Sequence, residues 1–219
     1  MPADAAAAAS ALARNSVHLC SALPGAWARR VGGLLSGVVG VPIPTLNGVW
    51  TEEASVDVAL VNSLLDEVAA SGLPHCLQIR PALSQSLGRL AARRGMSLEE
   101  QIPLMVLDDP ARLSAVPAPP GCRLRMLSPD EAPIHTAVAA AGFEAPVELF
   151  QEMMQPSVLA ARGVRTYLAE IDGEAVATGI GCTLDGWVGI FNIATIPAYR
   201  RRGAGAAITR QAVADGLAA

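Results

Sequence analysis

Two Asp-Gly pairs, at 172–173 and 185–186, separate three apolar segments of this chain. Asp-Gly between such segments is the strongest short-range hairpin signal. The favoured two-residue turn needs φ > 0 at both central residues, and Asp and Gly reach that region at low cost. The two pairs stand 13 residues apart. The spacing therefore predicts a three-stranded antiparallel meander over 164–171, 174–184 and 187–195. In the third segment both faces are mostly apolar: Trp187, Gly189, Phe191 and Ile193 on one, Val188, Ile190 and Ala194 on the other. Such a pattern predicts a central strand, covered on both sides.

The flanks extend this picture. Pro197 ends the third segment, and a helix is expected from Gly205 to Leu217, with Ile208, Ala212, Val213 and Leu217 on one face. Upstream, 122–127 alternates as a strand does. Ser128, Pro129 and Glu131 then form a capping box for a helix ending near Ala141, with Gly142 as its stop. A short second helix is expected over 146–154. The stretch 107–122, with four prolines and a glycine, reads as a linker. It divides the chain into a region 1–110, a linker 111–121 and a region 122–219. In the first region helices are expected over 3–14, 56–71 and 82–95. Strands are expected within 37–50, with a turn at Asn47-Gly48, and at 75–79 and 99–107.

Composition removes several function classes. The 219 residues carry a net charge of −4, so no general nucleic-acid footprint exists. All 16 basic residues are arginine. The four cysteines and three histidines are scattered, with no CxxC spacing. Neither a metal site nor a disulfide framework is expected, and the setting implied is cytoplasmic. The alanine-rich start lacks a basic n-region, so no signal peptide is expected. The apolar stretch 31–50 holds Pro42, Pro44 and five glycines, which favour strands and turns over a membrane span.

The most informative stretch is YRRRGAGAAITRQAV, residues 199–213. The first four N–H groups of a helix lack internal partners, and the helix dipole places partial positive charge there. Gly203 and Gly205 let an anion approach the backbone, and the arginines add charge-assisted hydrogen bonds. A diphosphate suits such a mouth. A Walker loop requires a lysine, which the chain lacks. A dinucleotide fingerprint requires a third glycine and a parallel βαβ unit.

NIATIPAYRRRGAGAAI, residues 192–208, resembles motif A of the GNAT superfamily of acyl-CoA-dependent N-acyltransferases. That motif runs Arg/Gln-x-x-Gly-x-Gly/Ala, and Arg200, Gly203 and Gly205 match it. The resemblance covers roughly 122–219 and implies an α/β fold: a mixed, mainly antiparallel sheet flanked by helices. It implies acetyl-CoA as co-substrate and direct acetyl transfer to an amine acceptor. The backbone of Ile193, Ala194 and Thr195 would hold the pantetheine arm. Arg200, Arg201, Arg202, Gly203, Ala204, Gly205 and Ala206 would form the diphosphate loop. The family pattern continues beyond this helix, so region 122–219 reads as a domain cut short. Region 1–110 reads as a degenerate GNAT-like half without the Arg/Gly loop.

The catalytic groups are open at this level. Asn192 stands on the central strand where a carboxylate is common in the family, and Tyr167 and Tyr199 are the two tyrosines in the chain. Glu144, Glu148 and Glu152 lie on or near the helix that shapes the amine site in this family, with a solvated acidic face as the plain alternative. Glu170 carries the same alternative. His135 is expected at the surface or semi-buried, and Cys122 and Cys182 as small core residues. Two other classes compete: a non-catalytic acyl-CoA-binding module, used as sensor or scaffold, and a ligand-free piece whose unpaired strand edge drives homodimer formation.

Overall fold

The computed structural model describes residues 5–99, 101, 103–109, 111, 113 and 118–219. The chain divides into two compact units, Met1–Asp109 and Pro110–Ala219. Of the expected linker, residues 112 and 114–117 lie outside the described residues, as do 110 before it and 3–4 of the first expected helix.

The first unit begins with helix α1 (Ala5–Cys20), longer than the sequence suggests. Strands β1 (Trp27–Val31), β2 (Leu34–Val38) and β3 (Gly48–Thr51) follow as an antiparallel meander. Helix α2 (Val58–Ala69) then crosses over to β4 (Cys76–Gln78), which pairs parallel to β3, and α3 (Ser84–Arg93) comes after it. The core is aliphatic. Leu34, Val38 and Val49 from the sheet meet Val61, Leu64, Leu65 and Val68 of α2 and Leu87 and Leu90 of α3.

Two expectations fail in this unit. Asn47-Gly48 is not a hairpin turn. Asn47 is extended (φ −122°, ψ 127°), and its buried side chain acts as a hub. Its Oδ1 accepts from Val39 N at 2.9 Å, and its Nδ2 donates to the carbonyls of Val41, Ile43 and Pro74 at 2.8–3.1 Å. Gly48 is required because a Cβ there would collide with the Cys76 carbonyl. The tight turn lies instead at Gly32 (φ 55°) and Gly33 (φ 72°). The described residues of 99–107 form no strand. Pro103 has no N–H to give a ladder there, and Met105 is almost fully exposed.

The second unit contains β5 (Cys122–Leu127), α4 (Ala132–Phe143), α5 (Val147–Met153), α6 (Pro156–Leu159), β6 (Val164–Ile171), β7 (Glu174–Leu184), β8 (Trp187–Thr195) and α7 (Ala204–Leu217). The sheet order is β5-β6-β7-β8, antiparallel throughout. Both Asp-Gly turns adopt positive φ at each central residue: Asp172 53°, Gly173 81°, Asp185 51° and Gly186 75°. The capping box at Ser128 forms through a short 3-10 turn, Pro129–Glu131. On one side of the sheet, Tyr167, Ala169, Val176 and Ala177 pack on Ala204, Ile208 and Ala212 of α7.

Strand β8 is not central. It lies at the edge of the described sheet. Its two apolar faces are covered by α4 and α7, which both pack on it, so the pattern reports helix cover and not a neighbouring strand. The end of α4 also differs. The left-handed residue there is Glu144 (φ 54°). Gly142 is present for contact: a Cβ would come within 2.8 Å of Ala194 Cβ and 2.9 Å of Thr195 N. Among the described residues, no helix is long and apolar enough to cross a membrane.

Candidate functional site

The site is built where β8 hands over to α7. Along β8 the register breaks. Ile180 pairs with Phe191 and Thr178 with Ala194, so β8 takes three steps where β7 takes two. The extra residue is accommodated at Asn192, which is left-handed (φ 51°). Opposite stands Gly179, whose missing side chain makes room for the Ile193 side chain. A bulge of this kind frees backbone groups from the ladder and re-aims the strand. The Asn192 side chain donates from Nδ2 to Met154 Sδ at 3.4 Å, at the end of α5. No described strand pairs with the other edge of β8.

Beyond β8 the chain makes a 3-10 turn, Pro197–Tyr199, and then bends through Arg201 (φ 61°) and Gly203 (φ 94°). Helix α7 opens at Ala204, and no side chain caps it. A Cβ on Gly205 would stand 3.2 Å from Thr195 Oγ1 and 3.3 Å from Ile193 Cγ2, so glycine seats the helix mouth against the end of β8. The small Ala204 is buried and Ala206 exposed.

The three arginines divide their work. Arg200 is engaged by the fold: Nε donates to Thr195 O at 3.2 Å, and Nη2 to Gly142 O at 2.7 Å and Glu144 Oε2 at 2.9 Å. It laces the loop to the end of α4. Arg201 and Arg202 are exposed. The Arg202 guanidinium lies over the Tyr199 ring, 4.9 Å from its centroid. The Tyr199 hydroxyl donates to Glu174 Oε2 at 2.9 Å, and that bond raises its pKa.

The candidate acids scatter. Glu144 pairs with Arg200 and is anchored at the loop. Glu148 and Glu152 of α5 are exposed. Glu170 bonds Arg125 Nε at 3.0 Å, far along the sheet on β6. His135 corrects its expectation: it is fully buried, not near the surface. Its ring Nδ1 lies 2.6 Å from Thr178 Oγ1, whose hydroxyl donates to Tyr167 O at 2.9 Å, and burial pushes its pKa down to about 4. The helical spacing of His135 with Val138 and Ala139, both buried, carries that signal in the sequence. Cys182 is buried and Cys122 half-buried, and burial raises both thiol pKa values. Sequence reasoning missed the Arg200–Glu144 tie and the Glu174 support behind Tyr199. Neither has a local pattern, because the partners stand 56 and 25 residues apart. No cluster able to hold a metal ion occurs among the described residues.

A profile described as the acetyltransferase (GNAT) family matches residues 131–218, from the capping box to the end of α7. Residues 131–218 belong to the GNAT acetyltransferase family. The GNAT match makes this part of the chain an acyltransferase, with an acceptor substrate of some kind. No curated protein matches the chain. Among solved structures, a GCN5-related N-acetyltransferase from Kribbella flavida is 20% identical, with a TM-score of 0.66, over 95% of this chain and 82% of its own. At that identity the likeness is one of fold, and it spans both units. An aminoglycoside acetyltransferase from an uncultured soil metagenomic sample is 23% identical over 44% of this chain and 72% of its own, with a TM-score of 0.35. An aminoglycoside N-acetyltransferase in complex with CoA is 17% identical over 43% of this chain and 71% of its own, with a TM-score of 0.34.

Proposed function

We propose that the GNAT region moves an acetyl group from acetyl-CoA to an amine by direct attack. The observation that carries this is the step from β8 to α7: an open strand edge leads into an uncapped helix mouth lined by Gly203 and Gly205. In this reading the backbone edge at Ile193, Ala194 and Thr195 pairs with the amide groups of the pantetheine arm, as an added strand would. The N–H groups from Arg201 to Ala206 meet the diphosphate, helped by the α7 dipole and the Arg201 charge. Arg200 holds the loop in place, with its Nε and Nη2 donors taken by Thr195, Gly142 and Glu144.

Acetyl-CoA supplies the thioester: a C–N bond to the amine forms, the C–S bond breaks, the amine loses a proton and the thiolate leaves. The bulge at Asn192 frees a backbone N–H of β8 to donate to the developing oxyanion. Asn192 orients the acceptor or a water. Glu148 faces solvent and can attract a cationic acceptor. The side-chain amide of Asn192 is no base, and this favours a second reading, a non-catalytic acyl-CoA-binding module. Thiol release with a panel of amines separates the two: tight binding without release selects the module.

We also read the first unit as a degenerate GNAT-like half, since its meander, crossover helix and parallel strand repeat the family's order. We place the chain in a cytoplasmic setting on the scattered spacing of its four cysteines. Titration calorimetry with acetyl-CoA tests the donor site. Gly203→Glu should abolish binding while the circular dichroism spectrum is kept. Unchanged binding in that variant rejects the proposal.

A further inference from the structure

The Asn192 side chain meets the fold through one end only. Its Nδ2 donates to Met154 Sδ at 3.4 Å, while Oδ1 has no partner among the described residues. A thioether sulfur accepts a hydrogen bond and cannot donate one. The contact therefore decides which way the amide faces: the NH2 end towards Met154, the carbonyl end away from it. Asn192 is half-buried, and its oxygen is not sealed off from solvent. Both partners are fixed from behind. Asn192 sits left-handed in the β8 bulge, a backbone state that asparagine tolerates. Met154 is buried, and its N–H donates to Phe150 O at 2.7 Å where α5 ends. Phe150 in turn stacks on Phe143, with ring centroids 5.7 Å apart. One residue on, the Gln155 carbonyl accepts from Val158 N at 2.9 Å and Leu159 N at 3.3 Å, where α6 begins. The sulfur is thus pinned between two helices. Leucine would fill the same volume. What methionine adds is a polarizable acceptor for the amide.

We infer that Met154 is a positioning residue for the acyl acceptor: its thioether turns the Asn192 amide so that Oδ1 accepts an N–H of the amine. The inference rests on the transfer reading given under Proposed function. Asn192 touches the amine, and Met154 acts only through Asn192.

The test is a double-mutant cycle on the full chain, read as kcat/KM for an amine that the unaltered protein acetylates, with thiol release as the signal. Asn192→Gly keeps the left-handed backbone and removes the amide, and kcat/KM for the amine should fall about tenfold. Met154→Leu keeps the volume and removes the sulfur, and should lower it about fivefold with KM for acetyl-CoA unchanged. In the Asn192→Gly background Met154→Leu should cost nothing further, because no amide is left to hold. The side-chain amide proton resonances of Asn192, identified by their loss in Asn192→Gly, should move in Met154→Leu towards those of a solvent-exposed asparagine. Unmoved resonances, no effect of Met154→Leu on kcat/KM, or an equal loss in both backgrounds overturns this inference and leaves acetyl transfer standing. If the unaltered protein releases thiol with no amine, the transfer reading fails and this inference with it.

Discussion

The two units make the same move, a meander strand leading into a helix, and finish it in opposite ways. In the first unit β3 gives way to α2, and Asp57 caps the helix with its own carboxylate, accepting from Ala59 N at 2.8 Å. Strand β4 closes the side of β3. The notch past their paired residues is bridged by Thr51 Oγ1, which donates to Gln78 O at 3.2 Å and accepts from Arg80 N at 3.0 Å. The buried Glu52 next in the chain is held by Arg30 at 2.7 Å and Ser10 at 2.8 Å. In the second unit β8 has no described neighbour on its outer edge, α7 has no side-chain cap, and arginine and glycine replace the acids. Topology sets where an anion could bind. A few residues decide whether the protein fills that place itself.

The comparison is broken most severely by giving the mouth of α7 a carboxylate, as Asp57 gives the mouth of α2. Gly203→Asp places a carboxylate at the helix mouth, in a left-handed conformation that Asp tolerates. Acetyl-CoA binding should fall by about a thousandfold, roughly 4 kcal/mol. The melting temperature should fall by only a few degrees, because one residue is strained at φ 94° and no core contact is lost. Calorimetry beside a thermal melt reads both, and an unchanged Kd would refute the contrast between the two junctions.

The next effect isolates the first unit. Asn47→Ala removes the hub that joins Val39, Val41, Ile43 and Pro74. Stranding several buried backbone groups should cost roughly 3 kcal/mol. Hydrogen exchange should place that loss in amides of β2, β3 and β4. An equal loss of protection across β6 to β8 would mean that the units do not unfold separately.

A third effect belongs to the second unit alone. Burial lowers the pKa of His135 from 6.5 to about 4. The unfolded chain therefore binds the proton more readily in that window. Stability is fully present above pH 6.5, falls as pH drops towards 4, and levels off below it, by an amount on the order of 3 kcal/mol. Carboxylates titrate in part of the same range, so the measurement is the difference from His135→Gln. Denaturant melts across this range should show a shallower decline in the variant. Parallel curves would remove His135 as the cause.

Local chemistry made much of this legible. Asp-Gly turns, a capping box and a glycine-arginine loop act within a few residues, and β5 to β8, the capped start of α4 and the mouth of α7 follow from them. What escaped depends on distant partners. The Asn47-Gly48 pair has the composition of a turn, yet Asn47 serves Pro74, 27 residues away. The apolar faces of β8 are answered by helices, which a two-residue period cannot tell from strands. Residues 104–107 have strand-like side chains, but Pro103 and the lack of a described partner leave them outside any strand and exposed. At the site, the motif identified the loop but not the division among its arginines, because Gly142, Glu144 and Glu174 lie far away in sequence.

The smallest effect is the converse of the first. Asp57→Ala uncaps α2 and should cost the first unit about 1 kcal/mol, the usual loss for an N-cap carboxylate. It should create no acetyl-CoA binding. An uncapped helix mouth is only one of three conditions met in the second unit. Here β4 still closes the strand edge, and the connection to α2 still carries the acids Glu52 and Glu53 in place of arginine and glycine. A denaturant melt reads the stability change. Binding to an Asp57→Ala, Gly203→Glu double variant asks whether the first unit has gained a site, with the second silenced. Measurable acetyl-CoA affinity in that double variant would show that the cap alone separates the two junctions, and that the edge and the acids do not matter.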